Sequence, residues 1–168
     1  MKNIFYERDN LIHITLENIC GGKEVAIIDI TDFEKVDRFP NKWYLNINKK
    51  TGAKYVMGFL KKKPFLLHRW IMDAPINMQV DHRNHNTLDN TRSNLRLVTA
   101  GENQQNKNGA YKNSKSGVRG VYWSKDKQKW IAQVRINYKT KKLGGFDTIE
   151  EAKIVVEKAR SNLMEYAN

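Results

Sequence analysis

Residues 80–103 constrain the fold of this chain more than any other segment of its sequence. Strand patterns cover residues 79–82 and 94–98, and a polar stretch separates them. Directly afterwards, Thr99 and Glu102 stand at the spacing of a capping box, which predicts the start of a helix. The segment is therefore predicted to form a strand, a loop, a returning strand and a helix in direct succession.

Four polar residues hold defined places along this segment. Asp81 and His82 end the first strand, Asn94 begins the second strand, and Asn103 lies in the helix. Together with the apolar residues that flank it, this pattern resembles the HNH nuclease motif in the form found in phage-type homing endonucleases. The resemblance implies a ββα-metal fold for residues 65–107 and hydrolysis of DNA phosphodiester bonds, with 5′ phosphate and 3′ hydroxyl products.

The resemblance also implies a role for each of these four residues. His82 would be the general base, and Asn94 would brace the loop so that the imidazole ring points correctly. An imidazole that titrates near neutrality can accept a proton from water when a hydrogen bond fixes its other nitrogen. Asp81 and Asn103 offer hard oxygen ligands suited to Mg²⁺ or Mn²⁺. Because no cluster of several carboxylates is visible, one ion per active site is expected.

The adjacency of Asp81 and His82 sets a geometric condition on this interpretation. In a regular strand, neighbouring side chains point to opposite faces of the sheet. For both side chains to serve one site, the pleat has to end at His82, where the polar loop begins. A regular ladder that continued past Arg83 would contradict the interpretation.

Taken singly, each motif residue also fits an ordinary polar loop between two strands. Asn94 would then be a turn residue, and Asn103 a solvated position on the helix. His85 lies outside the motif, and a solvated loop position is favoured for it over a second base or ligand. Arg69 precedes the motif in a His-Arg pair and is a candidate phosphate contact. Packing for His68 and a surface ion pair for Arg69 are at least as compatible with the sequence.

The N-terminal region, residues 1–64, is predicted to be rich in strands. One hairpin is predicted over residues 13–30, with residues 25–30 as its more buried strand. A second hairpin is predicted to join residues 43–48 to residues 53–60. No catalytic signature is visible in this region.

Two short helices are predicted around these hairpins. Thr31 and Glu34 form a capping box for a helix that ends before Pro40. Residues 65–72 have apolar spacing that suits a second short helix, which would hold the His-Arg pair. This second helix would lead directly into the motif segment.

The charge balance of the chain indicates a polyanionic partner. There are 30 Lys and Arg against 18 Asp and Glu, which gives a formal net charge of +12. Nucleic acid is the expected partner, and membrane binding is disfavoured because no long apolar run, signal sequence or lipidation motif is visible. Cys20 is the only cysteine, which excludes a disulfide or a thiolate zinc site within one chain. An intracellular location is expected, in the cytoplasm of a bacterial or phage-infected cell or at the nucleoid.

The C-terminal part contains a second recognisable pattern, which follows a polar, basic linker at residues 108–116. Strand-like stretches lie at residues 116–123, 129–135 and 143–146. Thr148 and Glu151 then form a capping box for a helix with one apolar face. This order resembles the AP2 DNA-binding domain, and for residues 117–168 it implies a three-stranded antiparallel sheet packed on one helix.

Positive charge is concentrated in this C-terminal part, where residues 107–145 contain eleven Lys or Arg and one acid. On the central strand, alternation places Trp130 and Val134 on the face that packs on the helix, and Gln133 and Arg135 on the face that can meet DNA. By resemblance and charge, the predicted DNA-binding residues are Arg119, Tyr122, Gln133, Arg135, Lys141 and Lys142, together with Arg69 near the motif.

The sequence thus predicts a modular α+β protein with a β-rich N-terminal region, a ββα-metal HNH core, a basic linker and an AP2-like sheet on a helix. The expected function is metal-dependent cleavage of double-stranded DNA, of a homing or mobile-element type. Two alternatives stay open: a DNA-binding regulator that uses the HNH region as a scaffold, and an RNA-directed nuclease. The sequence indicates no obligatory protein partner and leaves the oligomeric state open.

Overall fold

The computed structural model describes residues 2–17, 22–105, 110, 113–136 and 139–163. The chain divides into two compact units, which are treated separately below: an N-terminal unit, Met1–Thr99, and a C-terminal unit, Ala100–Asn168. No helix within the described ranges is long and apolar enough to cross a membrane.

The first sheet of the N-terminal unit has the order β1-β2-β3 and is antiparallel. Its strands are β1 (Phe5–Arg8), β2 (Leu11–Glu17) and β3 (Lys23–Asp29). The predicted pairing of β2 with β3 is confirmed, while the turn between them, including Cys20, lies outside the described residues.

The prediction that residues 25–30 form the more buried strand is wrong. The centre of this sheet is β2, which buries Ile12, Ile14 and Leu16, whereas β3 buries Ala26 and Ile28. The reason is β1, which the sequence analysis did not predict: it pairs with β2 on the side away from β3 and makes β2 the central strand.

A 3₁₀ turn (Ile30–Asp32) and α1 (Phe33–Asp37) follow, so the predicted short helix is present. The predicted capping box is wrong, because α1 starts after Asp32 and its N-cap makes no side-chain hydrogen bond to the helix. The Asp32 carboxylate binds the guanidinium of Arg92 instead.

The second sheet has the order β4-β5-β6, with β4 (Trp43–Ile47), β5 (Lys54–Leu60) and β6 (Lys63–Leu66). The predicted hairpin of β4 and β5 is confirmed. The helix predicted over residues 65–72 is shorter, because its first two residues belong to β6, which pairs with β5. The helix is α2 (Leu67–Ile71).

The motif segment forms β7 (Gln79–His82) and β8 (Leu95–Val98), an antiparallel pair, as predicted. Leu95 packs in the same hydrophobic core as residues of both N-terminal sheets and of α2, among them Ile14, Trp43 and Leu67. Within the described residues, β7 and β8 therefore share the hydrophobic core of the N-terminal unit. The proposed domain boundaries at residues 64 and 107 remain a prediction.

The C-terminal unit begins with α3 (Ala100–Gln105), the helix expected after β8. It contains a three-stranded antiparallel sheet of order β11-β10-β9, with β9 (Val121–Ser124), β10 (Lys129–Ile136) and β11 (Lys139–Phe146), and α4 (Ile149–Leu163). Much of the predicted linker at residues 108–116 lies outside the described residues.

The long helix α4 packs on one face of this sheet, as predicted. Its Ala152 and Val156 are buried together with Val121, Ala132 and Val134 of the strands. The predicted capping box at its start is confirmed: the Glu151 N–H donates to Thr148 Oγ1 at 3.2 Å, and the Thr148 N–H donates to Glu151 Oε2 at 3.4 Å. The arrangement of one sheet on one helix is thus present.

Candidate active site

The strand β7 ends at His82, which is the condition set by the adjacency of Asp81 and His82. Asp81 pairs with Arg96 and His82 with Leu95, and the ladder then stops. The Arg83 N–H still donates to the Asn94 carbonyl at 2.9 Å, but residue 83 is already in a turn. The predicted end of the strand is confirmed, and both Asp81 and His82 are buried.

The imidazole of His82 is buried among polar and charged side chains. Its ring lies edge-on to the ring of His68, with 5.0 Å between centroids and 82° between planes. Burial lowers the pKa of His82, while a hydrogen bond with the Asn90 side chain and the carboxylates of Asp81 and Asp89 raise it. Since burial dominates, the ring is neutral at pH 7, which is the form that can accept a proton.

His68 was placed beside His82 by the tertiary fold and not by any local sequence pattern. It is 5% exposed on α2, and its ring also lies 6.0 Å from that of Tyr55. Its buried Nδ1 makes no hydrogen bond within the part of the chain that the structure describes. Burial, followed by His82 and Arg69, lowers its pKa to about 3. The packing interpretation of His68 is thus supported, at a position that adjoins the proposed base.

Asn94 braces the loop between β7 and β8. Its Oδ1 accepts the N–H of Asn84 at 2.9 Å, and its Nδ2 donates to the carbonyl of Asp89 at 2.7 Å. The side chain is buried, so both bonds are shielded from water. One amide group thus joins the beginning of the loop to its end, close to His82.

The same loop is joined to the edge of β3. The Ile27 N–H donates to the Leu88 carbonyl at 2.9 Å, and the Asn90 N–H donates to the Ile27 carbonyl at 2.8 Å. Asn90 is fully buried, its Nδ2 donates to the Leu88 carbonyl at 3.1 Å, and its side chain adjoins His82, whose pKa it raises. The N-terminal sheet therefore positions a neighbour of the proposed base, which the sequence analysis did not foresee.

A fork-shaped ion pair fixes the loop a second time. Arg92 Nε lies 2.8 Å from Asp32 Oδ2, and Arg92 Nη2 lies 2.6 Å from Asp32 Oδ1. The Arg92 N–H also donates to Asp29 Oδ2 at 2.7 Å. Asp32 is 2% exposed, and a buried carboxylate of this kind needs a hydrogen-bonded partner. Nothing in the sequence indicated that Asp32 is buried or that Arg92 binds it.

Asp81, the proposed metal ligand, is paired with Arg96 on the facing strand. Arg96 Nε and Nη2 each lie 2.8 Å from Asp81 Oδ2, and both side chains are buried. Within the described ranges, no group of three or more His, Cys, Asp or Glu could hold a metal ion. A single carboxylate could contribute one oxygen ligand to Mg²⁺, which keeps several of its waters and does not need a closed protein cage. Asn103 lies on α3 in the C-terminal unit.

His85 and Arg69 lie near the motif but take no part in the proposed proton transfer. His85 is exposed in the loop, with φ of 63°, as the solvated interpretation predicts. The guanidinium of Arg69 donates to three backbone carbonyls, those of Met78 at 2.7 Å, Pro75 at 2.8 Å and Ala74 at 3.1 Å. Arg69 thus holds the segment between α2 and β7, in place of the surface ion pair that was considered.

The C-terminal sheet gathers some of the predicted DNA-binding residues on one face. Gln133 pairs with Lys142 across β10 and β11, so both lie on the face away from α4, as do Arg135 and Tyr122. Lys141 pairs with Val134 and therefore lies on the opposite face. Arg119 precedes β9 and lies near Arg160 of α4. The pKa of Arg160 is lowered mainly by burial and further by the positive charge of Arg119.

Acidification is expected to destabilise the N-terminal unit through His68. Its pKa falls from 6.5 to about 3 on folding, so below pH 6.5 the unfolded chain binds a proton that the folded chain takes up only near pH 3. The contribution of His68 to the free energy of unfolding is fully present above pH 6.5. Below pH 6.5 it declines by on the order of 1.4 kcal/mol per pH unit. Urea unfolding at pH 7.0 and pH 4.5 measures the decline.

The matched variants are His68→Phe, which removes the titrating ring, and His85→Ala, which removes an exposed one. His68→Phe should have a shallower decline between the two pH values, whereas His85→Ala should follow the wild type. If His68→Phe loses as much stability as the wild type over this range, His68 does not carry the effect.

Comparison with known proteins agrees with this geometry. Residues 66–105 match the family model described as HNH endonuclease. The chain is also 33% identical over 125 residues to an uncharacterized HNH endonuclease of Acanthamoeba polyphaga mimivirus, an alignment that covers 70% of this chain and 60% of that relative. The chain thus spans less than two thirds of the relative's length. No solved structure matches the chain at a significant level. From the family match and the strand, loop and strand arrangement around His82, residues 66–105 are similar to an HNH endonuclease domain.

Proposed function

We propose that this protein is a metal-dependent endonuclease that hydrolyses phosphodiester bonds of double-stranded DNA. The observation that carries the proposal is the position of His82: a neutral, buried imidazole at the end of β7, inside the segment that matches the HNH endonuclease model. The loop around it is braced by Asn94 and joined to the N-terminal sheet, which supports a rigid, preorganised site.

In this proposal His82 is the general base. Its imidazole takes a proton from a water molecule as the water oxygen bonds to phosphorus, and the bond from phosphorus to the 3′ oxygen breaks. The leaving oxygen takes a proton from the surrounding water, which gives 5′ phosphate and 3′ hydroxyl ends. The buried Asn90 adjoins the ring, and Asn94 holds the loop that carries Asn90.

We also propose Asp81 and Asn103 as the ligands of one Mg²⁺ or Mn²⁺ ion. Bound there, the ion would neutralise charge that develops on the phosphate in the transition state. The support for Asp81 is its carboxylate, held beside His82 by Arg96. The support for Asn103 is its place in the motif.

The C-terminal unit is proposed to bind DNA in the manner of an AP2 domain. Its sheet face away from α4 carries Tyr122, Gln133, Arg135 and Lys142, which combine positive charge with groups that can read base edges. Arg119, Lys141 and Arg69 remain proposed DNA contacts outside that face. A homing or mobile-element role in an infected cell is part of the proposal, supported by the viral origin of the relative.

The direct test is incubation of supercoiled plasmid with the purified protein in Mg²⁺, with parallel samples in EDTA. We expect open-circular or linear DNA with Mg²⁺ and none with EDTA, while DNA binding in a gel-shift assay persists in EDTA. Single-stranded DNA and RNA of matched length should be cut more slowly. Binding without cleavage in Mg²⁺ or Mn²⁺ would support the regulator instead, and preferential cleavage of RNA would support the RNA-directed nuclease.

A further inference from the structure

The turn between β5 and β6 has an unusual sequence for its shape. Leu60 pairs with Lys63, so the hairpin is closed by only two residues, Lys61 and Lys62. Both have left-handed backbone conformations, with φ of 48° and 64°. Two-residue hairpin turns with two positive φ angles strongly favour Asn-Gly, because side chains such as lysine are strained there. The turn thus contains two residues that its backbone disfavours.

Three consecutive lysines, Lys61 to Lys63, are displayed at this tip. All three are exposed, and none of their side chains makes a hydrogen bond or ion pair within the described ranges. Other lysines of the same unit do have carboxylate partners, since Lys35 pairs with Asp73 and Lys54 with Glu24. The tip is therefore a concentrated positive charge whose partner is not supplied by the described part of the unit.

The tip is joined to the proposed active site by a short, rigid path. From Lys62 the chain runs along β6 into α2, where the His68 ring lies 5.0 Å from the ring of His82. Four strand residues at about 3.3 Å each, the first turn of α2 at about 5 Å and the 5.0 Å to the His82 ring give a path of about 23 Å, so the tip lies at most about that far from His82. Along the axis of B-DNA each strand carries one phosphate about every 3.4 Å, so this reach corresponds to at most about seven nucleotides.

We propose that the hairpin tip Lys61–Lys63 binds the phosphate backbone of the DNA substrate, within about seven nucleotides of the bond that is cut. The inference rests on the proposed function in that it takes DNA as the substrate. Lysine contributes a point charge that attracts phosphate without reading bases, and a rigid two-residue tip holds such charges at a defined distance from His82. Asn-Gly at these two positions would relax the backbone but remove two of the three charges.

The variant Lys61→Asn/Lys62→Gly separates this proposal from an ordinary solvated turn. It should raise the melting temperature, because the backbone conformation now suits its residues. It should also weaken binding of a fluorescein-labelled 30-base-pair duplex by roughly tenfold at 100 mM salt, and reduce the slope of log K against log salt by about two. Fluorescence anisotropy between 50 and 200 mM salt, in EDTA, measures both quantities.

Lys49→Ala/Lys50→Ala is the matched control, because it removes the same charge from the β4–β5 turn of the same sheet. Equal losses in the two double variants, or wild-type binding by Lys61→Asn/Lys62→Gly, would overturn the proposal. Lys63→Glu provides a second variant on the strand, where it should weaken binding while Lys63→Arg binds as the wild type. If the wild type cuts plasmid but the hairpin variants bind normally, only this inference fails; if the wild type neither binds nor cuts DNA, the proposed function itself fails.

Discussion

Replacement of His82 by alanine is expected to lower the rate of DNA cleavage by about 10²- to 10⁴-fold, the range that a general base contributes. No other imidazole lies in an equivalent place, since His68 is buried behind His82 with a pKa of about 3 and His85 is exposed in the loop. The measurement is the single-turnover rate of plasmid nicking at saturating protein and Mg²⁺. DNA affinity should stay within about twofold of the wild type, because the sheet of the C-terminal unit is unchanged.

The control for this prediction is His85→Ala, which removes a histidine from the same loop without touching the buried pair. It should nick at the wild-type rate. His82→Asn keeps a polar group at the site and should be as slow as His82→Ala. Cleavage at the wild-type rate by His82→Ala would exclude it as the base and leave the HNH region as a scaffold.

The local part of the site could be predicted from the sequence because its signals are short-range. The alternation that defines β7 and β8, and the polar loop between them, depend on residues within one or two positions of each other. The confirmed capping box at Thr148 and Glu151 is equally local. A local pattern predicts the structure correctly when no distant residue binds the same side chains.

The failed capping box at Thr31 shows what happens when a distant group does compete. Asp32 lies in the same first turn, and its carboxylate binds Arg92, 60 positions further along the chain. The helix then begins after Asp32 without a side-chain cap. The pairing of Ile27 with Leu88 and Asn90 spans a similar separation. Contacts of this range leave no periodic pattern in the sequence. The contact between the β7–β8 loop and the N-terminal sheet could therefore not be predicted.

Sheet registers set a second limit on what could be predicted. Asp81 and Arg96 face each other because β7 and β8 pair without a shift. In the C-terminal sheet, however, an irregularity between Ala132 and Gln133 shifts the pairing of β10 with β11. This shift determines which of Lys141 and Lys142 shares a face with Gln133, and one extra residue is enough to exchange them. Composition identified the basic strand but not the side to which each lysine points.

Replacement of Arg96 by methionine is expected to lower the free energy of unfolding by about 3–5 kcal/mol, as is usual when one partner of a buried ion pair is removed. Both side chains are buried, and Arg96 approaches Asp81 through two nitrogen atoms at 2.8 Å. Methionine fills much of the same volume, so the loss would reflect the carboxylate that remains buried without this guanidinium. Urea unfolding at pH 7 without metal measures it.

Arg38→Met is the matched control, because Arg38 forms an exposed pair with Glu34 one helical turn away and should lose less than about 1 kcal/mol. Asp81→Leu/Arg96→Met removes both buried charges and should recover most of the stability lost by Arg96→Met. A loss by Arg96→Met no larger than that of Arg38→Met would show that the pair does not stabilise β7 against β8. The double variant should still fail to cut DNA, which separates the stabilising role of the pair from the role of Asp81 as a proposed metal ligand.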